Sequence, residues 1–213
     1  MRDTDVEPRG SSLKGKHVLL GVTGGIAAVD TVRLSRELRR HGANVSVVMT
    51  PSAQKIITPL AVRWASQGEV ITDWDGDLAG LTNFDAILVA PATRNLLASF
   101  VHGIMNGPLL MALSAARSRG TPIMMIPSMH GDLSSDQITS DLVIECQNLG
   151  ANILWGNNEE GRMKTPSHEH IVALLGNMVN RNNTSVVITL GATQSNIDDI
   201  RFVQNTSSGR TGY

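Results

Sequence analysis

"HVLLGVTGGIAAVD", residues 17–30, is the stretch that decides the fold predicted from this sequence. Its first six residues form a short apolar run that stops at a turn of small residues, which is typical of a buried strand in a parallel sheet. After the glycines, apolar side chains recur near helical spacing at Ile26, Val29, Leu34 and Leu38, and basic residues crowd the last turn before a glycine. The stretch therefore predicts a strand, a glycine turn and a helix in succession.

The same alternation continues along the chain. Further strands are predicted at NVSVVMT, DAILVAPA, PIMMIPSM and ANILWG, and helices at RNLLASFVHG, PLLMALSAARSRG, DLVIECQNLG and SHEHIVALLGNMV. Strands that alternate with helices indicate an α/β fold, a doubly wound parallel sheet of Rossmann-like type with helices on both faces. The polar sequence NRNNT, residues 180–184, is typical of a linker, so we expect a domain boundary before Ser185.

Composition narrows the class of protein. Hydrophobic residues make up 41% and charged residues 17%, and the formal net charge of -1 gives no reason to expect nucleic acid or an anionic membrane as a partner. The single cysteine, Cys146, excludes an intrachain disulfide and fits a reducing compartment. No apolar run approaches the roughly 20 residues that span a bilayer, and the N-terminus lacks the apolar core of a signal peptide. These features predict a soluble cytoplasmic protein, and the spacing of its histidines predicts no metal site.

The glycine turn suggests a phosphate site. Its glycines fall at positions 21, 24 and 25, which is not the G-x-G-x-x-G dinucleotide pattern, yet a helix that begins after such a turn aims free N–H groups at an anion. A dinucleotide fold also places an acidic residue at the end of its second strand, whereas this strand ends in VVMTPSA with the hydroxyl of Thr50. The pattern disfavours NAD and favours a mononucleotide phosphate; a turn that merely connects strand and helix is the alternative.

Five motifs occur in an informative order: LLGVTGGIAA, VVMTPSAQKIITPL, ILVAPATRN, IPSMH and EEGRM. Together they resemble the FMN-dependent cysteine decarboxylase family, and most closely its phosphopantothenoylcysteine decarboxylase members, which act in coenzyme A biosynthesis. The resemblance runs from about Lys14 to Val179. The sequence beyond it, ITLGATQSNIDDIRFVQNTSSGRTGY, is similar to the opening of phosphopantothenate–cysteine ligase, which many bacteria and archaea fuse to the decarboxylase.

The resemblance implies a division of the chain into three parts. Residues 1–14 are expected to be a polar tail, 15–180 an FMN-binding decarboxylase domain, and 185–213 an incomplete N-terminal fragment of a ligase domain. A fragment of about 30 residues buries too little surface to fold alone. We therefore expect no ligase activity from it, although Asn205 matches an asparagine that handles the activated carboxylate in the full ligase.

The resemblance also implies FMN as the cofactor, bound between the subunits of a homotrimer that often assembles further, for example into a dodecamer. The positions that match the family's contacts to the flavin phosphate are Gly24, Gly25, Ile26 and Thr50. Those that match its contacts to the isoalloxazine and the rest of the cofactor are Pro91, Ala92, Thr93, Asn95 and Met129. In this family the flavin oxidises the cysteine end of the substrate, carbon dioxide is lost, and the reduced flavin returns its electrons.

Two candidate catalytic residues depart from the family pattern. The position of the family's catalytic histidine is Asp77, whose carboxylate has a much lower ordinary pKa than an imidazole; a solvated loop residue is the alternative interpretation. The asparagine of the family's PAMN motif, which holds the substrate carboxylate, is replaced by His130 in PSMH. A histidine can still bind a carboxylate, as a neutral donor or as imidazolium.

The flap expected to close over the substrate departs as well. Its sequence, WGNNEEGRMK, lacks the cysteine that helps to protonate the product in the family. Arg162 and Lys164 of this flap are candidates for contact with the substrate phosphate, or are plain surface charges. Cys146 falls in a predicted helix instead, where a small core residue is expected.

The leading functional prediction is FMN-dependent decarboxylation of phosphopantothenoylcysteine to phosphopantetheine. Two alternatives stay open. One is an FMN-binding regulatory or interaction protein that has lost catalysis, and the other is a decarboxylase of another cysteine-terminal or aromatic acid. Release of carbon dioxide from phosphopantothenoylcysteine distinguishes the first prediction from both.

Overall fold

Six parallel strands form the central sheet. The computed structural model describes residues 3–74, 83–156 and 165–180, and the backbone of two short antiparallel pairs, β7 Asn158–Glu159 with β8 Arg162–Met163 and β9 Gln194–Asn196 with β10 Phe202–Gln204. The strands of the sheet are β1 His17–Val22, β2 Asn44–Met49, β3 Val70–Ile71, β4 Ala86–Ala92, β5 Ile123–Pro127 and β6 Ala151–Ile153. Their order is β3-β2-β1-β4-β5-β6, and all pair in parallel. The predicted doubly wound parallel sheet is confirmed.

Helices cover both faces of this sheet. Their bounds are α1 Thr31–Arg40, α2 Pro59–Ser66, α3 Arg94–Val101, α4 Pro108–Arg119, α5 Gly131–Ser134, α6 Gln137–Asn148 and α7 His168–Val179. Side chains of α1, α2 and α7 pack into the core cluster on one face, and those of α3, α4 and α6 into the cluster on the other. Both clusters exclude water from the strands, which is why the strands read as continuous apolar runs.

Side chains of β1 contribute alternately to the two core clusters. Val18 and Leu20 belong to one core cluster and Leu19 to the other, as the alternation of side chains along a strand requires. Gly21 lies where α4 approaches, and a Cβ there would stand only 2.5 Å from the Cδ1 atom of Leu109. The missing side chain lets α4 pack directly on β1, close to the turn that follows it.

Helices α2 and α5 and strand β3 of the sheet domain were absent from the sequence prediction. Helix α2 has ordinary start signals, since the Thr58 Oγ1 atom accepts a hydrogen bond from the Ala61 N–H group at 3.3 Å and Pro59 opens the helix. Strand β3 is only two residues long, too short for a hydrophobic pattern. The first predicted helix also differs in detail, because its opening turn, Ile26–Asp30, is a 3-10 helix.

The N-terminal segment, predicted as a polar tail, lies against α1 and α7. Leu13 is fully buried, and its N–H group donates to the carbonyl of His41 at 3.0 Å. Arg9 pairs with the buried carboxylate of Glu37 at 3.5 Å, and the Asn180 side chain donates to the carbonyl of Ser12 at 2.6 Å. These contacts tie the segment to the sheet domain.

The chain divides into two units, residues 1–180 and 181–213. That the second unit is part of a ligase stays a prediction. Within the described residues, no helix has the length and apolar character needed to cross a membrane. The same part of the chain holds no group of His, Cys, Asp or Glu side chains arranged for a metal ion.

Candidate functional site

The candidate site lies at the carboxyl ends of the central strands. Strands β1 and β4 are neighbours in this sheet. The chain leaves β1 toward β2 on one side and leaves β4 toward β5 on the other, so a crevice opens between the two connections. The loops that follow β1, β2, β4 and β5 all leave the sheet at this edge. These loops, with the strand and helix ends beside them, contain the glycine turn, Thr50, residues 91–95 and His130.

Thr23 joins two of these loops. Its hydroxyl donates to the carbonyl of Pro91 at 2.7 Å and accepts from the N–H group of Thr93 at 3.0 Å. Its own N–H group also points to the Pro91 carbonyl, at 3.3 Å. The residue is 2% exposed, so no water can replace these bonds. Thr23 therefore fixes the glycine turn against residues 91–95, the segment predicted to contact the isoalloxazine.

Gly24 and Gly25, which have no side chains, leave space between the glycine turn and the loops after β2, β4 and β5. A Cβ on Gly25 would stand 3.4 Å from Pro91 Cβ and 3.5 Å from the carbonyl oxygen of Ser128, and a Cβ on Gly24 would collide with Ser52. Within the described residues, the N–H groups of Gly24 and Ile26 donate to no backbone carbonyl. An open turn with unpaired N–H groups fits the phosphate of a mononucleotide.

Thr50 begins the loop next to the glycine turn. Its N–H group donates to the carbonyl of Val22 at 3.0 Å, and its hydroxyl accepts from the N–H group of Ala53 at 3.3 Å. A cleft of about 280 Å³ runs past it, lined by the end of β2 and by the starts of α3 and α4. Asn95 and Trp74 also line this cleft, so two of the predicted cofactor residues, Thr50 and Asn95, share one space.

His130 lies on the loop after β5, which is tied to β4 by a 3.0 Å hydrogen bond from the Ser128 N–H group to the Ala92 carbonyl. The His130 carbonyl accepts from the N–H groups of Leu133 and Ser134, both at 3.0 Å, which fixes its backbone. Its side chain is 71% exposed, and among the residues that the structure describes it approaches the charged group of Asp132, with Nδ1 3.5 Å from Oδ2. The imidazole is free to meet a ligand.

Cys146 is a core residue, as the sequence predicted. Its side chain is fully buried, and the thiol makes a weak hydrogen bond to the Leu97 carbonyl at 3.9 Å. Burial, with a smaller contribution from the charge of Glu145, raises the pKa of the Cys146 thiol to about 11. The thiol is therefore unsuited to donate or accept protons for a substrate.

This placement predicts an unreactive thiol. In the folded protein we expect a thiol reagent such as dithionitrobenzoate to modify Cys146 about a hundredfold more slowly than in guanidinium, because the thiolate is scarce and shielded. Absorbance at the reagent's product band measures both rates. Cys146→Ala is expected to keep full activity, and a folded Cys146→Ala variant without activity would contradict the assignment.

Four of the predicted site residues cannot be placed. Asp77, Lys164 and Asn205 lie outside the described residues, and for Arg162 only the backbone, in β8, is described. Their roles stay predictions. Met129 is half-buried and packs at the edge of the second core cluster, beside His130.

The sequence analysis missed Thr23, Ser52 and Ser128. A hydroxyl directly after a buried strand and before two glycines was an available signal for Thr23, since a buried polar group needs partners. The partners themselves were not predictable, because Pro91 and Thr93 are about 70 residues away along the chain.

A doubly wound sheet with an open glycine turn at its switch point defines a nucleotide-binding type of α/β protein. Comparison with known sequences is more specific: the Flavoprotein family matches residues 7–180, and this chain belongs to that family. Residues 181–213 match a second family, described as DNA/pantothenate metabolism flavoprotein C-terminal domain. The family assignment agrees with the resemblance inferred from the motifs.

Two curated relatives make the likeness closer. The chain is 37% identical over 210 residues to the coenzyme A biosynthesis bifunctional protein CoaBC of Thermococcus kodakarensis, covering 94% of this chain and 52% of that protein. It is 33% identical over 221 residues to the CoaBC protein of Haemophilus influenzae, covering 94% and 54%. The chain spans about half the length of the curated relatives it matches.

Solved structures share the fold. One is the FMN-dependent cysteine decarboxylase SpaF, with a TM-score of 0.71 and 22% identity over 79% of this chain and 99% of that one. Another is a PPC decarboxylase mutant complexed with pantothenoylaminoethenethiol, with a TM-score of 0.64 and 19% identity over 75% and 96%. At this level of identity the likeness establishes the architecture.

Proposed function

We propose that this chain is an FMN-dependent phosphopantothenoylcysteine decarboxylase, corresponding to the decarboxylase part of its CoaBC relatives. The observation that carries the proposal is the meeting of the glycine turn, the Thr50 loop, the 91–95 segment and His130 at one edge of the sheet. The similarity to CoaBC proteins supports the substrate, and membership of the Flavoprotein family supports a flavin.

The residues at the switch point fit an FMN phosphate. Backbone N–H groups at Gly24 and Ile26 and the hydroxyls of Thr50 and Ser52 can together surround a dianion without a bulky side chain between them. When bound, FMN would supply reversible two-electron oxidation of the substrate's cysteine end. The protein's task is to hold that end in position and to stabilise the charges.

The described residues suggest a division of labour. Thr23 fixes the spacing of the two loops that would hold the cofactor, and His130 offers a donor to the substrate carboxylate. In the net reaction the bond from the carboxyl carbon to Cα breaks, carbon dioxide leaves, and a proton takes its place. The two electrons borrowed during the cycle return to the product, so no external oxidant is consumed.

Substitution of His130 by alanine tests the substrate contact. The side chain is 71% exposed, so we expect the free energy of unfolding to change by less than about 0.5 kcal/mol. The KM for phosphopantothenoylcysteine should rise about tenfold or more, because a hydrogen bond to a charged group is lost. Steady-state release of carbon dioxide measures KM, and flavin absorbance should stay unchanged.

His130→Asn is the matched control, because an amide can also donate to a carboxylate. We expect it to keep KM within a few-fold of the starting value. If alanine and asparagine were both without effect, His130 would have no part in substrate binding.

We further propose that the active protein is a homo-oligomer, a trimer or a larger assembly of trimers. Beside the glycine turn, Ile26 and Val29 expose 77% and 54% of their surface. Apolar side chains next to a proposed cofactor site favour cover by a second subunit. A small-molecule substrate and a cytoplasmic setting belong to the same proposal.

The flavin itself is tested by releasing the pigment from purified protein with acid and measuring its mass. The proposal predicts FMN, with one molecule per chain at saturation. Release of FAD would contradict the phosphate assignment, because the site is proposed to end at a single phosphate.

A further inference from the structure

One ion pair beside the candidate site has no role in the proposal so far. Arg94 is the first residue of α3, and Asp136 is the residue that caps α6. The Arg94 Nη1 atom lies 2.7 Å from the Asp136 Oδ2 atom, with side chains 24% and 36% exposed. The distance is that of a charge-assisted hydrogen bond.

The placement of Arg94 needs an explanation. A positive charge at the start of a helix faces the positive end of the helix dipole, which is unfavourable. Asp136 offsets this charge, and it also accepts a hydrogen bond from the Ile138 N–H group at 3.2 Å. That hydrogen bond and the Arg94 guanidinium hold the pKa of Asp136 below its ordinary value, so the pair stays charged at neutral pH.

The pair closes a loop that carries His130. We call residues 128–136 the His130 segment. Its first residue donates to the Ala92 carbonyl at 3.0 Å, and its last residue pairs with Arg94. Both ends are therefore attached within residues 92–94, where β4 ends and α3 begins, and α5 lies between the two attachments.

We propose that the Arg94–Asp136 pair is a clamp. It positions the His130 segment, and with it the imidazole, against residues 91–95, the segment proposed to contact the cofactor. Arg94 and Asp136 are positioning residues in this inference. The meaning of the clamp for catalysis rests on the proposed function, whereas its effect on the segment does not.

Hydrogen exchange tests the clamp without any activity. The N–H groups of Leu133, Ser134 and Ser135 donate to carbonyls within the segment and report its opening. We expect Arg94→Ala and Asp136→Asn each to accelerate their exchange about tenfold, as loss of a charge-assisted hydrogen bond implies. Asparagine is itself a good helix cap, so α6 should be unaffected. The double variant should exchange no faster than either single variant.

A remote ion pair provides the control. Lys16 and Asp85 approach to 3.5 Å, with side chains 31% and 39% exposed, at the opposite edge of the sheet. Lys16→Ala should leave exchange in the His130 segment unchanged. The clamp would be overturned if Arg94→Ala and Asp136→Asn accelerated hydrogen exchange additively in the double variant. It would also be overturned if neither single variant exchanged faster than Lys16→Ala in the His130 segment.

Kinetics then separate the clamp from the proposed function. With active protein, Arg94→Ala should raise the KM for phosphopantothenoylcysteine about tenfold with flavin content unchanged, and Arg94→Lys should recover part of the loss. Coupled exchange in a protein that releases no carbon dioxide would support the clamp and refute the function. If the protein is active but Arg94→Ala and Asp136→Asn change neither its KM nor its hydrogen exchange, the clamp is refuted and the proposed function stands.

Discussion

Gly25→Val is expected to weaken FMN binding about a hundredfold or more while the protein still folds. The backbone at Gly25 has φ -91° and ψ 150°, an extended conformation open to any residue, so valine causes no backbone strain. A Cβ there already reaches contact distance from Pro91 and Ser128. The γ carbons of valine would fill the narrow space that keeps the turn open to a phosphate. Fluorescence titration with FMN measures the loss.

Two neighbouring variants serve as controls for this prediction. Gly25→Ala adds only atoms at ordinary contact distance and is expected to weaken binding less than valine does. Gly24→Ala would collide with Ser52, so its effect should be on the free energy of unfolding as well. Unchanged FMN affinity in a folded Gly25→Val protein would remove the glycine turn from the cofactor site.

Thr23→Val is the second substitution with a large expected effect. It keeps the shape of the side chain and removes the hydroxyl that serves both Pro91 and Thr93. The partly buried Thr93 N–H group then loses its partner, and the Pro91 carbonyl keeps only the weaker bond from the Thr23 N–H group at 3.3 Å. This should lower the free energy of unfolding by about 2–4 kcal/mol. FMN affinity should fall as well, because the two loops lose their fixed spacing. Chemical denaturation and FMN titration measure the two effects.

Thr23→Ser is the matched control, since it retains the hydroxyl. We expect it to keep FMN affinity and most of the stability. If serine destabilised the protein as much as valine does, loss of the hydroxyl's hydrogen bonds would not be the source of the effect.

The sequence was sufficient for the main architecture because the strands are buried on both faces. Runs such as residues 86–92 are apolar at every position, and helices of clear periodicity follow most of the strands. Helix α2 was overlooked although Thr58 and Pro59 carry start signals. Strand β3 could not have been found, because two residues show no pattern.

The candidate site was predictable in part for a physical reason. Ligands of doubly wound sheets bind at the carboxyl ends of strands, so Gly25, Thr50 and His130 could be expected near one another from strand positions alone. The hydrogen bonds and the ion pair that set the spacing of these residues could not be predicted. The Thr23 bonds depend on the pairing of β1 with β4, and the Arg94–Asp136 pair depends on how α3 and α6 pack.

The central claim is decarboxylation, and its most direct test is carbon dioxide release. Purified protein loaded with FMN is incubated with phosphopantothenoylcysteine labelled in the cysteine carboxylate, and the released label is counted. We predict release of one carbon dioxide per substrate consumed, phosphopantetheine as the product, and no release from protein stripped of FMN. FMN bound to a protein that leaves this substrate intact would contradict the claim.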